Sequence, residues 1–432
     1  MTWDPEIHGK NFGFVSTRFA GTDGVSLESA KWAEVLWRHQ HVASWYAGEL
    51  DRNPGMSFKV PEAHFEHPEV RWINEHVFGQ QQRSAECIER VHKLRKHLKK
   101  TLYQFIEKFH VDVLVAQNCL TIPMNLPLGL ALTELISETH IPTIAHHHDF
   151  YWERDRFMIN AAGEYINMAF PPRLPSIQHV TINTSAMEDL AFRTGIPSVV
   201  IPNVLDFSEP APVPDEFSSS LREDIGLKPD DVMILQPTRV VSRKGIEHAI
   251  ELLRRLGDPS KYKLVISHGS GDEGHEYEDY LIHHASACGV DMRIISHRVA
   301  DKRGLDPETG EKRYSLWDVY PHADLITYPS LYEGFGNAFL EAIYFKKPML
   351  VNRYSIYIRD IEPKKFWVLE MDGYLTGEVV ESVRAILDDA EMRREMVEHN
   401  LELAKHYFSK DVLEYHLGHL ISNIDTLGHN GA

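Results

Sequence analysis

Cysteine is scarce in this chain, and the few present stand apart. Cys87, Cys119 and Cys288 are three in number and show neither the pairing of a disulfide framework nor the spacing of a metal site. A reducing, cytoplasmic setting fits them best. Positive charge is also short: 45 Lys and Arg stand against 63 Asp and Glu, a formal net charge of −18. That balance excludes general nucleic-acid binding, which needs a basic face to neutralise phosphates. Any anionic ligand has to be held by a few local cations. No apolar run approaches the roughly 18 residues of a membrane helix. The opening Met1-Thr-Trp-Asp-Pro-Glu6 has no basic stretch and no apolar core, so it does not read as a signal peptide. A soluble intracellular protein is the expectation.

What the chain does have is enough apolar residues for two cores: 43% hydrophobic over 432 residues, the length of two ordinary domains. Short β-rich runs alternate with helical patterns almost throughout, the signature of a parallel α/β sheet. Strands are predicted at Phe12–Arg18, Val111–Gln117, Ile141–His146, His179–Asn183 and Ser198–Ile201. A helix opens near Ser26, and another spans about Ser84 to Lys108, with Val91, Leu94, Leu98, Leu102 and Phe105 on one face. The Pro- and Ser-rich stretch Ser208–Ser220 interrupts the alternation and reads as a linker. Strands resume at Val232–Gln236, Tyr262–Ser267, Met292–Ser296, Leu325–Tyr328 and Pro348–Asn352, and from Thr376 the chain is mostly helical. The expected division is 1–207, 208–405 and a terminal helix, 406–432. Two doubly wound parallel-sheet, Rossmann-like domains would face each other across a cleft, with ligands at the carboxyl ends of the strands.

The most informative segment is Tyr328-Pro-Ser-Leu-Tyr-Glu-Gly-Phe-Gly-Asn-Ala-Phe-Leu-Glu-Ala342. It reads as strand, glycine turn and helix, so backbone N–H groups and a helix N-terminus are offered to an anion. Two carboxylates, Glu333 and Glu341, flank the turn. A sugar diphosphate would use both, its hydroxyls meeting the acids and its phosphates the amides. On one continuous helix the acids would lie about 12 Å apart, beyond the roughly 5 to 9.5 Å that paired carboxylates need for glycoside hydrolysis. The alternative is a capped helix start and one solvated acid.

Gln236-Pro-Thr-Arg-Val-Val-Ser-Arg-Lys-Gly245 follows a strand and sets Arg239 and Lys244 at the ligand crevice, a fork and a point charge suited to a diphosphate. Arg243 is the most plausible impostor in this run, and solvated loop cations are the alternative. His268-Gly-Ser-Gly-Asp-Glu-Gly274, which includes Gly269, is a weaker glycine-loop signal. Gly21-Thr22-Asp23-Gly24 is another phosphate-approach turn, unless Ser26 simply caps the helix. Ala145-His-His-His-Asp149 ends a strand. Neighbours on a strand point to opposite faces, so the three histidines do not share one ion. His148 beside Asp149 facing the cleft is the better reading. Lys93, Arg95, Lys96, Lys99 and Lys100 form a basic helix face, usually just solvated and occasionally a contact for anionic lipid.

Together these residues resemble a family 4 retaining glycosyltransferase of GT-B architecture, over nearly the whole chain. The family's E-x(7)-E motif falls on Glu333 and Glu341, its R-x(4)-K pair on Arg239 and Lys244, and its first-domain histidine on His148. Pro202-Asn-Val-Leu-Asp206 matches another family segment, departing from many relatives in Val204, where they carry Gly. The resemblance implies a first domain for the acceptor, where the predicted contacts are Thr22 and Asp149, and a second for the nucleotide donor. It implies that Arg239 and Lys244 neutralise the donor diphosphate with the amides of Gly334, Phe335, Gly336 and Asn337. Glu333 would hold donor-sugar hydroxyls, Glu341 the ribose, and His148 the sugar near its anomeric centre; Gly21, Gly24 and Gly269 would line the donor. The terminal helix would cross back to the first domain.

The implied activity is retaining hexosyl transfer, glucose or mannose, from a nucleotide-diphosphate sugar to a small sugar, sugar acid or sugar phosphate. No tightly bound cofactor and no essential metal are expected. A lipid-linked acceptor is kept open by the basic helix, although the acidic surface favours a small soluble one, and a homodimer is also left open. Rival readings are a GT-B sugar-nucleotide epimerase or hydrolase, and a non-catalytic binding protein, which predicts a damaged site where this one has every polar position filled.

Overall fold

The computed structural model describes residues 9–270 and 274–429. They form two compact units: residues to Val204 together with those from Lys410 onward, and Leu205–Ser409. The crossings therefore fall at 204/205 and 409/410, against the 207/208 and 405/406 read from the sequence. In the second unit, entry and exit lie side by side, Leu205 N–H donating to the Phe408 carbonyl at 2.9 Å.

The first unit contains a seven-stranded sheet: β1 (Asn11–Val15), β2 (Val42–Ala47), β3 (Ser57–Lys59), β4 (Val113–Gln117), β5 (Thr143–His147), β6 (Ile177–Thr181) and β7 (Ser198–Val200). Its spatial order is β3-β2-β1-β4-β5-β6-β7, every pair parallel. The sequence reading omitted β2 and β3, and in the second sheet the strand Leu369–Met371. Val42–Ala47 follows a helix directly and carries Ser44 and Trp45 in place of an aliphatic run. The second unit repeats the plan with β8 (Val232–Gln236), β9 (Tyr262–Ile266), β10 (Asp291–Ile294), β11 (Leu325–Tyr328), β12 (Met349–Asn352) and β13 (Leu369–Met371), in the order β10-β9-β8-β11-β12-β13 and again all parallel. The central strands are buried along almost their whole length because helices cover both faces of a parallel sheet, with Gln117, Gln236 and Thr327 as polar residues near their carboxyl ends.

In both units the winding reverses next to the first strand, between β1 and β4 and between β8 and β11. Those are the points at which open α/β sheets leave a crevice at the strands' carboxyl ends. Every loop singled out in the sequence, Gly21–Gly24, His146–Asp149, Arg239–Lys244 and Tyr328–Asn337, leaves such an end.

Helices α1 (Gly24–Arg38), α2 (Pro68–Val77), α3 (Ala85–Phe109), α4 (Leu126–Thr139) and α5 (Thr184–Thr194) belong to the first unit; α6 (Ile246–Leu256), α7 (Glu276–Ala287), α8 (Asn337–Tyr344), α9 (Gly377–Asp388) and α10 (Ala390–Phe408) to the second. The last helix, α11 (Lys410–His429), lies in the first unit. It buries Leu413, Leu417, Leu420, Ile421 and Ile424 in a cluster with Phe12, Trp32, Val35 and Leu36. Each such side chain stabilises by about 1.5–3 kcal/mol when fully buried. Lys410 to Glu34 (2.5 Å) and Lys10 to Asp425 (2.7 Å) pin its two ends.

The basic face predicted on α3 is partly consumed. Arg95 pairs with Glu134, and Lys99 with Glu134 (3.1 Å) and Glu138 (2.7 Å), both acids on the neighbouring α4. Lys93, Lys96 and Lys100 remain exposed. Among the described residues, no helix is long and apolar enough to cross a membrane.

Candidate active site

In the second unit, the loop after β8 and the loop after β11 are docked on each other. Leu331 N–H donates to the Arg243 carbonyl at 2.8 Å. At Gly245 the backbone takes φ +58°, and an added Cβ would stand 2.5 Å from the Pro329 carbonyl oxygen. Beneath them a buried polar chain ties the strand ends together: Thr327 Oγ1 donates to Gln236 Oε1, and Gln236 Nε2 to Thr238 Oγ1, each at 2.8 Å.

This docking brings Lys244 to Glu333. Both are buried, at 8% and 7% exposure, and the ammonium pairs directly with Glu333 Oε1. Arg243 reaches Glu333 Oε2 and the Tyr332 carbonyl, each at 3.4 Å. The residue marked as the impostor is thus part of the cluster. Arg239 lies at the exposed edge, and among the described residues it forms no ion pair.

The charges respond to one another. Burial alone would raise the Glu333 carboxyl, but Lys244, with Ser330 and Arg243, outweighs it and holds the group below the usual carboxylate range. Burial pulls the Lys244 ammonium below its ordinary value, Arg243 and Arg239 adding to the effect against the opposing Glu333 carboxylate. A buried ion pair of this kind is costly unless it is well hydrogen-bonded, and such a cost is tolerated where charge is used.

Glu333 does not sit on the helix. It lies in the turn, and α8 begins at Asn337, so the helical separation estimated for Glu333 and Glu341 does not apply. The turn is held by Gly336 at φ +112°, where a Cβ would stand 2.8 Å from the hydroxyls of both Tyr328 and Tyr354. Tyr354 Oη donates to the Phe335 carbonyl at 2.8 Å, and Phe335 itself is buried. No side chain caps α8, so its first amides lie at the end of the turn that carries Gly334 and Asn337. One turn on, Glu341 Oε2 accepts from Tyr320 Oη at 2.7 Å. Burial, then the Glu341 carboxylate, drives the Tyr320 hydroxyl well above its ordinary value. Gly269 packs its carbonyl against Val240 N–H at 3.1 Å; Gly271, Asp272 and Glu273 of its loop lie outside the described residues.

The strand ends of the first unit are built differently. Gln117 Oε1 accepts from His146 Nδ1–H (3.0 Å) and His148 Nε2–H (3.2 Å), on the face where Trp32 stacks on His146 at 4.3 Å. His147 takes the opposite face. Thr121 Oγ1 and His147 Nδ1 are 2.5 Å apart, and His147 Nε2 lies 2.9 Å from His179 Nδ1. Burial is the main reason all four rings stay neutral at pH 7: His148 and His179 fall to about 4, and His146 and His147 well below their ordinary value. Asn118, at φ +58°, accepts from His148 N–H at 3.1 Å and donates to Asp149 Oδ1 at 2.9 Å, fixing the turn that presents both residues.

The Gly21–Gly24 turn also lies near this cluster, since Asp23 acts on the His148 ring. Its cap is Asp23, not Ser26: Asp23 Oδ1 accepts from Val25 N–H and Ser26 N–H at 3.1 Å each. Gly21 N–H donates to Asp51 Oδ2 at 2.9 Å. The amides of Gly21, Val25 and Ser26 are thus engaged by carboxylates instead of standing open to an anion. Thr22 is exposed at the tip. Arg243, Tyr320, Gln117 and Asn118 were not chosen from the sequence, and only Arg243 left a trace there, by its place beside Lys244.

A family model for "Glycosyl transferases group 1" matches residues 307–402, which include both motif acids. The chain is 32% identical over 424 residues to mannosylglucosylglycerate synthase of Thermotoga maritima, covering 91% of this chain and 95% of the relative. It is 33% identical to the enzyme of the same name from Petrotoga mobilis, covering 83% and 86%. A solved glycosyltransferase from Rickettsia africae superposes with a TM-score of 0.68 at 13% identity, over 96% of this chain and 98% of that one. With a relative a third identical along almost the whole of both chains, this protein belongs to the group 1 glycosyl transferases, as a family 4 glycosyltransferase of GT-B fold.

Proposed function

We propose that this chain is a retaining mannosyltransferase that moves mannose from GDP-mannose to a hydroxyl of a small sugar acid, of which glucosylglycerate is the leading example. The observation that carries the reading is the buried Lys244–Glu333 pair, with Arg243 and Arg239 beside it, at the switch point between β8 and β11. The names of the two long relatives support mannose over glucose and a glycerate-bearing acceptor.

Arg239 and Lys244 would take the donor diphosphate, together with the amides at the start of α8, where a helix N-terminus favours negative charge. Those cations supply the counter-charge, so no resident metal is needed for it. Glu333 would accept from mannose hydroxyls while keeping Lys244 charged and aimed. Glu341, steadied by Tyr320, would hold the ribose. His148 stays neutral and would meet the sugar near its anomeric carbon, its ring fixed by Gln117. The bond from the anomeric carbon to the phosphate oxygen breaks as an oxocarbenium-like centre forms. The acceptor oxygen then bonds to the same face, and its proton passes to the departing diphosphate. Catalysis is leaving-group stabilisation plus positioning.

The test is to follow GDP release and the product's anomeric proton by NMR, from GDP-mannose with glucosylglycerate. Acceptor-dependent release with an α-linked product is expected. Equal release without acceptor would sink the transferase reading in favour of a hydrolase, and a β-linked product would sink retention.

A further inference from the structure

The carboxyl ends of the first unit's strands hold several arginines, and most are already committed. Arg18 pairs with Asp23 at 3.3 Å, Arg52 with Asp51 at 2.5 Å, and Arg154 engages Asp149 through Nε. Arg156 differs. Among the described residues it forms no ion pair, and its only hydrogen bond runs from Nη2 to the sulfur of Met124, at 2.7 Å. Met124 lies in the loop that leaves β4, the strand beside the switch point. The Arg156 guanidinium lies over the Phe157 ring, 4.7 Å from its centroid. Two acids are near enough to act on it, Asp149 and then Glu66, and each is engaged elsewhere, Asp149 by Arg154 and Glu66 by Arg71 at 3.6 Å. A guanidinium fork that rests on a thioether and a ring, while Arg154 repels it from the side, is poised for an oxyanion.

We propose that Arg156, flanked by Arg154, is a specificity-determining residue that binds the carboxylate of the acceptor. This rests on the sugar-acid reading of the acceptor given above. The subsite would set the acid end of the acceptor on the arginines and leave its hydroxyls toward Asp149 and His148. It would also explain how a chain carrying 63 acids and 45 bases takes an anionic acceptor: the attraction is local.

The experiment compares glucosylglycerate with its neutral analogue glucosylglycerol, by calorimetric binding and by transfer kinetics, in wild type, Arg156→Ala and Arg156→Lys. Arg156→Ala should weaken glucosylglycerate about 10- to 100-fold, the size of a charge-assisted contact. The change should fall on acceptor KM more than on kcat, leave the KM for GDP-mannose unchanged, and leave glucosylglycerol unaffected. Lys at this position should recover part of the loss, as a point charge replacing a fork. The side chain is exposed, so the unfolding midpoint should not move. An equal effect on both acceptors, or none on either, would overturn the subsite. If wild type binds glucosylglycerate in this Arg156-dependent way but transfers no mannose to it, the proposed function fails and the subsite stands. If wild type does not bind the acid at all, the subsite is overturned too.

Discussion

The two units repeat one sheet order and place their candidate residues at the same topological point, yet the two clusters are electrical opposites. At the strand ends of the second unit, buried charges are kept: Lys244 and Glu333 pair at under a tenth exposure, with Arg243 alongside. At those of the first unit, buried charge is refused, and four histidines are desolvated into neutrality and linked through Gln117 and Thr121. The same backbone plan thus carries one cluster that keeps buried charge and one that keeps its buried rings neutral. Fold places the site, and the side chains decide its chemistry.

The sharpest break in this contrast is Lys244→Ala. It removes the central cation and leaves Glu333 buried without its main partner, and transfer should fall by about 10² to 10³, by analogy with the loss of one preorganised donor at a developing charge. Steady-state kinetics would show it in kcat. A fall of only a fewfold would mean that Lys244 serves the fold and not the leaving group.

Gly336→Ala tests how the charged end is shaped. A Cβ at φ +112° would be strained and would press on two buried tyrosine hydroxyls. We expect a stability loss of about 2–4 kcal/mol by urea titration and a weaker hold on the donor. An unchanged midpoint would show that the turn relaxes freely.

Smaller, but specific to the first unit, is the effect of pH. The folded values of His148 and His179 are about 4, below the roughly 6.5 of an unfolded histidine. Between those limits the unfolded chain binds more protons, so stability is full above pH 6.5 and is lost as pH falls toward 4. Each proton taken up on unfolding contributes a slope of about 1.4 kcal/mol per pH unit. A flat profile in wild type would contradict the neutral cluster.

How much of this was readable beforehand follows from what each residue depends on. Five of the second sheet's six strands and the Glu333–Glu341 segment were legible because they rest on local patterns: continuous apolar runs, a glycine turn and a helix start; the three-residue β13 offered too short a run to be read. Lys244 and Arg239 were legible from their place after a strand. Arg243 reaching Glu333 was not, because it depends on two loops 90 residues apart docking through one backbone hydrogen bond. The same holds for Tyr320 on Glu341, and for Gln117 accepting from two histidines 29 and 31 residues away. The N-cap of α1 was misread by three residues because Asp and Ser are both good caps, and only the backbone decides which carries the first turn. The basic face of α3 was overestimated for a related reason: its acid partners sit on α4.

The measurement closest to the central claim is the affinity for GDP, by calorimetry at neutral pH, in wild type, Lys244→Ala and His148→Ala. The account predicts that Lys244→Ala weakens GDP by about 10- to 100-fold, while His148→Ala leaves GDP affinity near wild type and slows transfer. GDP binding indifferent to Lys244, or weakened as much by His148→Ala, would contradict the division of labour between a charged end and a neutral one.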